Sequence, residues 1–190
     1  MIKLLKNRKV AILITVIVVA LSVMLGVSRT SNRSTRKIEA LFYDGIYLKD
    51  EGYTQPGMYS HIRNCADAAI GLATVLGNHQ ELAHETGKLI VAQQTLVDAY
   101  SLSNINSAYL KMVDSFNVLK SATAGVVISE RETAAMEQYS NLLTGAQKAM
   151  VGSRYNDMVT EYMDGRSALM QVIGLFTPTK TPHYFDLPGN

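Results

Sequence analysis

Apolar residues run without a charge from Val10 to Val27 (VAILITVIVVALSVMLGV), eighteen positions in all. A helix needs roughly 17 to 25 such residues to cross a hydrocarbon core about 30 Å thick, so the pattern predicts a membrane span. The next stretch, Ser28 to Lys37 (SRTSNRSTRK), is polar and holds four basic residues. It reads as a juxtamembrane linker able to sit against anionic headgroups or, more plainly, as a generic stop-transfer flank. Ile38 to Leu48 is a short apolar-rich segment, and DEGYTQPGM (Asp50 to Met58) holds the two glycines and the proline that mark a loop. A helical body is expected to begin near Tyr59.

From Tyr59 to Tyr100 no proline occurs, and apolar residues recur at helical spacing in Ile62, Ala66, Ala69, Ala73 and Leu76, then in Leu82, Leu89, Ala92 and Leu96. Gly77-Asn78 is the expected break between them. Ser101 to Ser107 is rich in Ser and Asn, with Ser103 or Asn104 as the expected cap of a helix reaching Lys120. Its apolar face would be Ile105, Tyr109, Met112, Val113, Phe116 and Leu119. Ser129 and Glu132 have the spacing of a capping box at the start of the last helix. Met136, Tyr139, Leu143, Ala146 and Met150 then form one seam, which Tyr155, Val159 and Tyr162 resume with a shifted phase. With no proline before Pro178, this reads as one helix of roughly 45 residues, about 68 Å long. Gly145, Ala149 and Gly152 are the expected line of close helix contact, and no strand pattern competes anywhere in the chain.

Composition and charge narrow the classes. The net charge of +2 hides an asymmetry: Lys3, Lys6, Arg8 and Lys9 precede the span and no acid occurs before Glu39. From residue 38 onward there are 10 basic and 16 acidic side chains. An acidic body argues against nucleic acid as a partner, which requires a basic patch or stripe. A cleaved signal peptide would have a shorter apolar core and an Ala-x-Ala-like site, so an uncleaved anchor is expected. Cys65 is the only cysteine, which excludes an internal disulfide and a Cys-rich metal site and suits a small core residue.

The stretch Arg154-Tyr155-Asn156-Asp157-Met158-Val159-Thr160-Glu161-Tyr162 resembles the late signature of the LemA family, in which Arg-Tyr-Asn is followed by Val and then Tyr on one long helix. Ile173-Gly174-Leu175-Phe176, with Tyr184-Phe185 after it, is similar to that family's closing elements. Met163 stands where the family usually has Asn, and the family's early motif has no counterpart around Arg63 to Leu76. The resemblance implies an antiparallel helical bundle, a membrane anchor and a bacterial source, and it implies no reaction. The family-signature residues are Arg154, Tyr155, Asn156, Val159 and Tyr162, read as bundle packing with the tyrosine hydroxyls hydrogen-bonded or, more sharply, as a contact surface.

Candidate chemistry is thin. His79, Glu81, His84 and Glu85 (HQELAHE) suggest a metal site, but the two histidines are five apart and diverge on a helix. His61 and Cys65 sit at i and i+4 with no further ligand nearby. No phosphate-binding glycine loop or nucleophile-elbow motif occurs, and pairs such as Glu130 with Glu132, or Glu161 with Asp164, read as solvated helix faces. No catalytic, cofactor-binding or metal residue is therefore assigned.

The expected fold class is all-α, an antiparallel bundle of three or four long helices behind an N-terminal transmembrane helix. The expected segments are a basic leader (1–9), the span (10–27), a linker with a short helix (28–58), the bundle (59–176) and a Pro-containing tail (177–190). The expected function is a membrane-anchored, non-catalytic scaffold or protein-interaction protein. Its partners would be the lipid bilayer through residues 10–27 and other proteins, further copies of this chain among them. The alternative is an extracytoplasmic sensory or ligand-binding bundle similar to chemoreceptor domains, and a hydrolase ranks third. A short basic leader touching the span is expected to keep the N-terminus in the cytoplasm of a bacterial cell and the body outside the inner membrane.

Overall fold

The first helix continues far beyond its apolar run. In the computed structural model, which describes residues 8–49, 52–166, 171 and 181–187, α1 spans Arg8–Asp44 without interruption. It is long and apolar enough to cross a membrane, and none of its most apolar window is buried. Hydroxyls within and just after that run donate back to their own helix, Thr15 to the Ala11 carbonyl, Ser22 to Val18 and Thr30 to Gly26. These bonds satisfy polar groups that lipid would leave unpaired. The expected linker at 28–37 is thus helical: SRTSNRSTRK holds no Pro or Gly to stop propagation.

The second departure is a small antiparallel hairpin where a short helix and a loop were expected and no strand. Strands β1 (Ile46–Leu48) and β2 (Tyr53–Gln55) pair Ile46 with Gln55 and Leu48 with Tyr53. Gly45, at φ +81°, turns the chain from α1 into β1, and a Cβ there would run into the Gln55 carbonyl oxygen. Only glycine meets both conditions.

Four helices form the antiparallel bundle: α2 (Met58–Leu76), α3 (Ala83–Val97), α4 (Leu102–Ala122) and α5 (Glu130–Val151). The principal packings are α2 with α5 and α3 with α4. The apolar periodicities hold: Ile62, Ala66, Ala69, Ala73 and Leu76 are all buried, as are Ile105, Tyr109, Met112, Val113, Phe116 and Leu119. The cap of α4 is Ser101, whose side chain accepts from the Asn104 N–H, and so neither Ser103 nor Asn104. Ser129 caps α5 with the capping box complete. The close approach expected at Gly145, Ala149 and Gly152 lies elsewhere. A Cβ on Gly145 would meet nothing, whereas one on Gly71 in α2 would run into the Tyr139 ring of α5.

The expected 45-residue helix is two helices. Gly152 ends α5, the Ser153 N–H and hydroxyl both donate to the Met150 carbonyl, and Arg154 takes φ +57° before α6 (Tyr155–Asp164). A left-handed residue cannot continue a helix, and for a non-glycine it costs about 1–2 kcal/mol that surrounding contacts must offset.

Contacts divide the chain into two units that cut across α1 and α6. One comprises residues 1–39 and 158–182. In it Ser31 and Thr35 of α1 and Val159 of α6 are buried, and the Ser31 and Tyr162 hydroxyls share a 2.6 Å hydrogen bond. The other, 40–157 with 183–190, contains the hairpin and the four-helix bundle. The leader positions Lys3 and Lys6, the Ile173-Gly174-Leu175-Phe176 element, Pro178 and Pro188 lie outside the described residues.

Candidate functional site

Tyr155 and Asn156 take part in a polar clamp around segment 181–187. Asn156 holds both backbone groups of Phe185. Its Nδ2 donates to the Phe185 carbonyl at 2.9 Å, and its Oδ1 accepts from the Phe185 N–H at 3.0 Å. The side-chain amide thereby stands in for a neighbouring β-strand. One residue earlier, the Tyr155 hydroxyl donates to the His183 carbonyl at 2.8 Å. Asn106 of α4 completes the clamp, accepting from the Asp186 N–H at 3.1 Å and donating to its carboxylate at 2.8 Å.

Rings fill the space beneath this backbone. Phe185 is 2% exposed, with centroids 5.7 Å from Phe42 and 5.4 Å from Tyr109. Phe42 in turn lies 5.2 Å from Tyr155, edge to face, an arrangement that favours aromatic pairs. The site can therefore hold an extended backbone and one aromatic side chain without charge. Of the signature residues, Tyr155 and Asn156 act here. Val159 is buried, Tyr162 bonds Ser31, and exposed Arg154 contributes its backbone conformation. Sequence reasoning missed Asn106 and Phe42, because the partners of Asn106 and Asn156 lie 80 and 29 positions away and an isolated Asn on a helix carries no local signal.

Three other places bear on chemistry. Cys65 is buried in α2, with Sγ 3.9 Å from the Leu143 carbonyl, and burial pushes its thiol up to about 12. Such a thiol is unreactive at neutral pH. Beside it the Tyr109 hydroxyl is fully buried without a well-formed hydrogen bond, and burial raises its pKa as well. His61, at i−4 from Cys65, has its pKa lowered by burial. Among the described residues no three His, Cys, Asp or Glu side chains gather in one place.

His79 and the HQELAHE segment divide by position. His79 Nε2 lies 3.0 Å from Glu132 Oε1, at the start of α5, while His84 faces a different feature. That feature is an open groove of about 720 Å³ between α3 and α4. Ala83, Gly87, Val91 and Ala92 supply much of its wall, with Lys88 and Lys111 among its charged members.

Comparison with protein-family models, curated proteins and solved structures finds no match for the chain.

Proposed function

We propose that this chain is a membrane-anchored, non-catalytic scaffold or protein-interaction protein, similar to the LemA family, held in the inner membrane of a bacterium with its body outside the cytoplasm. The observation that carries the reading is α1. Ten large apolar side chains between Ile12 and Leu25 are exposed, from 40% at Ile14 to 62% at Leu25, over a length suited to a bilayer. The other end of the same helix leads through the hairpin into a helical bundle, which suits presentation of a surface. The clamp around Phe185 supports the LemA-like part, because it gives Tyr155 and Asn156 of the signature a shared task. The basic leader favours the stated orientation.

Crosslinking in intact membranes followed by capture of the full chain tests the scaffold reading, with specific protein adducts, homotypic ones included, as the expected result. A partnerless chain that saturably binds a small molecule would overturn it. Orientation is tested by fusion at Asn190. Active alkaline phosphatase is expected there, and a fluorescent green protein fusion with an inactive phosphatase would place the body in the cytoplasm.

The second reading, a ligand-binding sensory bundle, is favoured by the α3–α4 groove, whose volume falls in the range of small-molecule sites, about 300–1,000 Å³. Gly87→Leu would project a side chain into that groove. Loss of a saturable ligand in this variant, with the fold retained, would support the sensory reading over the scaffold.

A further inference from the structure

The continuation of α1 past its apolar run places the basic residues on a helix, which fixes where each one points. At 100° per residue, Arg29, Arg33 and Arg36 fall within about 60° of one another. Ser31, Thr35 and Ile38, all buried, lie roughly opposite. All three arginines are exposed, and none forms an ion pair with a carboxylate among the described residues. The stretch therefore has two faces, one packed through hydroxyls and an isoleucine, the other a row of guanidinium groups beginning two residues after Val27.

We infer that the Arg29-Arg33-Arg36 face of α1 is a binding site for the phosphate groups of anionic phospholipids in the leaflet nearest the body. The inference rests on residues 10–27 lying in a bilayer. Measured along the helix from Val27, the Cα atoms of Arg29, Arg33 and Arg36 lie about 3, 9 and 14 Å beyond the apolar run. The headgroup layer adds about 5–7 Å to each side of the hydrocarbon core. Helical side chains slant toward the helix N-terminus, which here is toward the membrane. Arg29 therefore sits within the phosphate layer and Arg33 reaches back into it. Arg36, with its Cα about 7–9 Å outside that layer, stays within a Debye length of about 8–10 Å. Lys37, about 15 Å beyond the apolar run and about 40° from Arg33, flanks the row one position further out than Arg36. Guanidinium groups suit this task because their fork of donors matches two phosphate oxygens at once.

The geometry predicts a ranking among four neighbouring basic residues, which general attraction of a basic segment to a negative surface does not. Full-length protein reconstituted in phosphatidylcholine bilayers containing phosphatidylglycerol, with spin-labelled lipids reporting the motionally restricted fraction, gives the relative association of the two lipids. Because Arg8 and Lys9 attract anionic lipid at the opposite end of the span, the diagnostic is the drop between variants. One well-placed charge near the surface changes association by about fivefold. Arg33→Gln is expected to lower the phosphatidylglycerol preference by about twofold to fivefold, and Arg36→Gln and Lys37→Gln each by less. Arg33→Lys, which keeps the charge, is expected to retain most of the preference and guards against a fold defect.

A preference unchanged by Arg33→Gln, or lowered as much by Lys37→Gln, overturns the inference and leaves the anchor standing. Failure of the unaltered protein to enter neutral bilayers overturns both. If Arg33→Glu abolishes a protein crosslink while lipid preference stays constant, the stripe faces an acidic protein surface, and the lipid assignment is wrong.

Discussion

Helices α2 and α5 pack against each other and are of similar length, yet they are held by different means. Nine of the nineteen residues in α2 are buried, against three of twenty-two in α5. A helix buried on most sides owes its place to side-chain volume, whereas one with a narrow buried stripe depends on its termini and on a few contacts. In α5 these are the Ser129–Glu132 capping box, the His79 contact with Glu132 and the seat of the Tyr139 ring over Gly71. Stability in the bundle thus rests on packing along α2 and on local polar chemistry at the start of α5.

The largest expected effect tests the volume side. Leu72 is fully buried at mid-α2, so Leu72→Ala is expected to cost about 2–5 kcal/mol. Leu142→Ala in α5, where the side chain is 51% exposed, is expected to stay within about 0.5 kcal/mol. Denaturant unfolding of the two variants measures the gap, and equal losses would erase the distinction between the helices. The interface between them comes next. Gly71→Ala forces the Tyr139 ring aside and should cost about 1–3 kcal/mol as overpacking. Adding Tyr139→Ala should recover part of that cost, and additive losses in the double-mutant cycle would mean that ring and glycine do not meet.

Much of this contrast was legible in the chain. The α2 stripe from Ile62 to Leu76 was visible because its apolar positions repeat with helical period, and the Ser129–Glu132 box because both halves lie within one turn. The break at Gly152–Arg154 was not, since nothing in Ser153-Arg154 forbids a helix. The left-handed residue is offset by contacts that Tyr155 and Asn156 make with residues 183 and 185. Gly71 was equally silent, because a glycine inside a helix looks like a cost until the ring opposite is known. The hairpin escaped notice because each strand has only three residues, too few for alternation to register.

Smaller effects test the terminal chemistry. Ser129→Ala removes the cap and is expected to cost about 1 kcal/mol, read as a lower midpoint in the same titration. The smallest expected effect is pH-dependent. The Ser129 backbone N–H, followed by the Ser129 hydroxyl and His79, holds the Glu132 carboxyl down from 4.5 to about 2. A carboxyl depressed in the folded state stabilises the protein above its unfolded pKa, and that stabilisation is lost as pH falls toward the folded value. The melting-temperature difference between the unaltered protein and Glu132→Gln is therefore expected to shrink as pH falls from about 4.5 toward 2. A difference that stays constant through that window would remove the carboxylate from the account of how α5 is held.

The clamp around Phe185 also sets an order of events during synthesis. Asn106 and its partner Asp186 are separated by 80 residues. At about 5–20 residues per second, roughly 4–16 s pass between their emergence from the ribosome. Throughout that interval Phe42 and Tyr109 lack the ring that packs between them and Asn106 lacks its partner, and for the last 29 residues of it Asn156 waits for the backbone it holds. The nascent bundle consequently passes through a stage with an open aromatic cleft, during which a chaperone, a protease or the equivalent segment of a neighbouring nascent chain can reach it before the chain's own residues 183–186 close it.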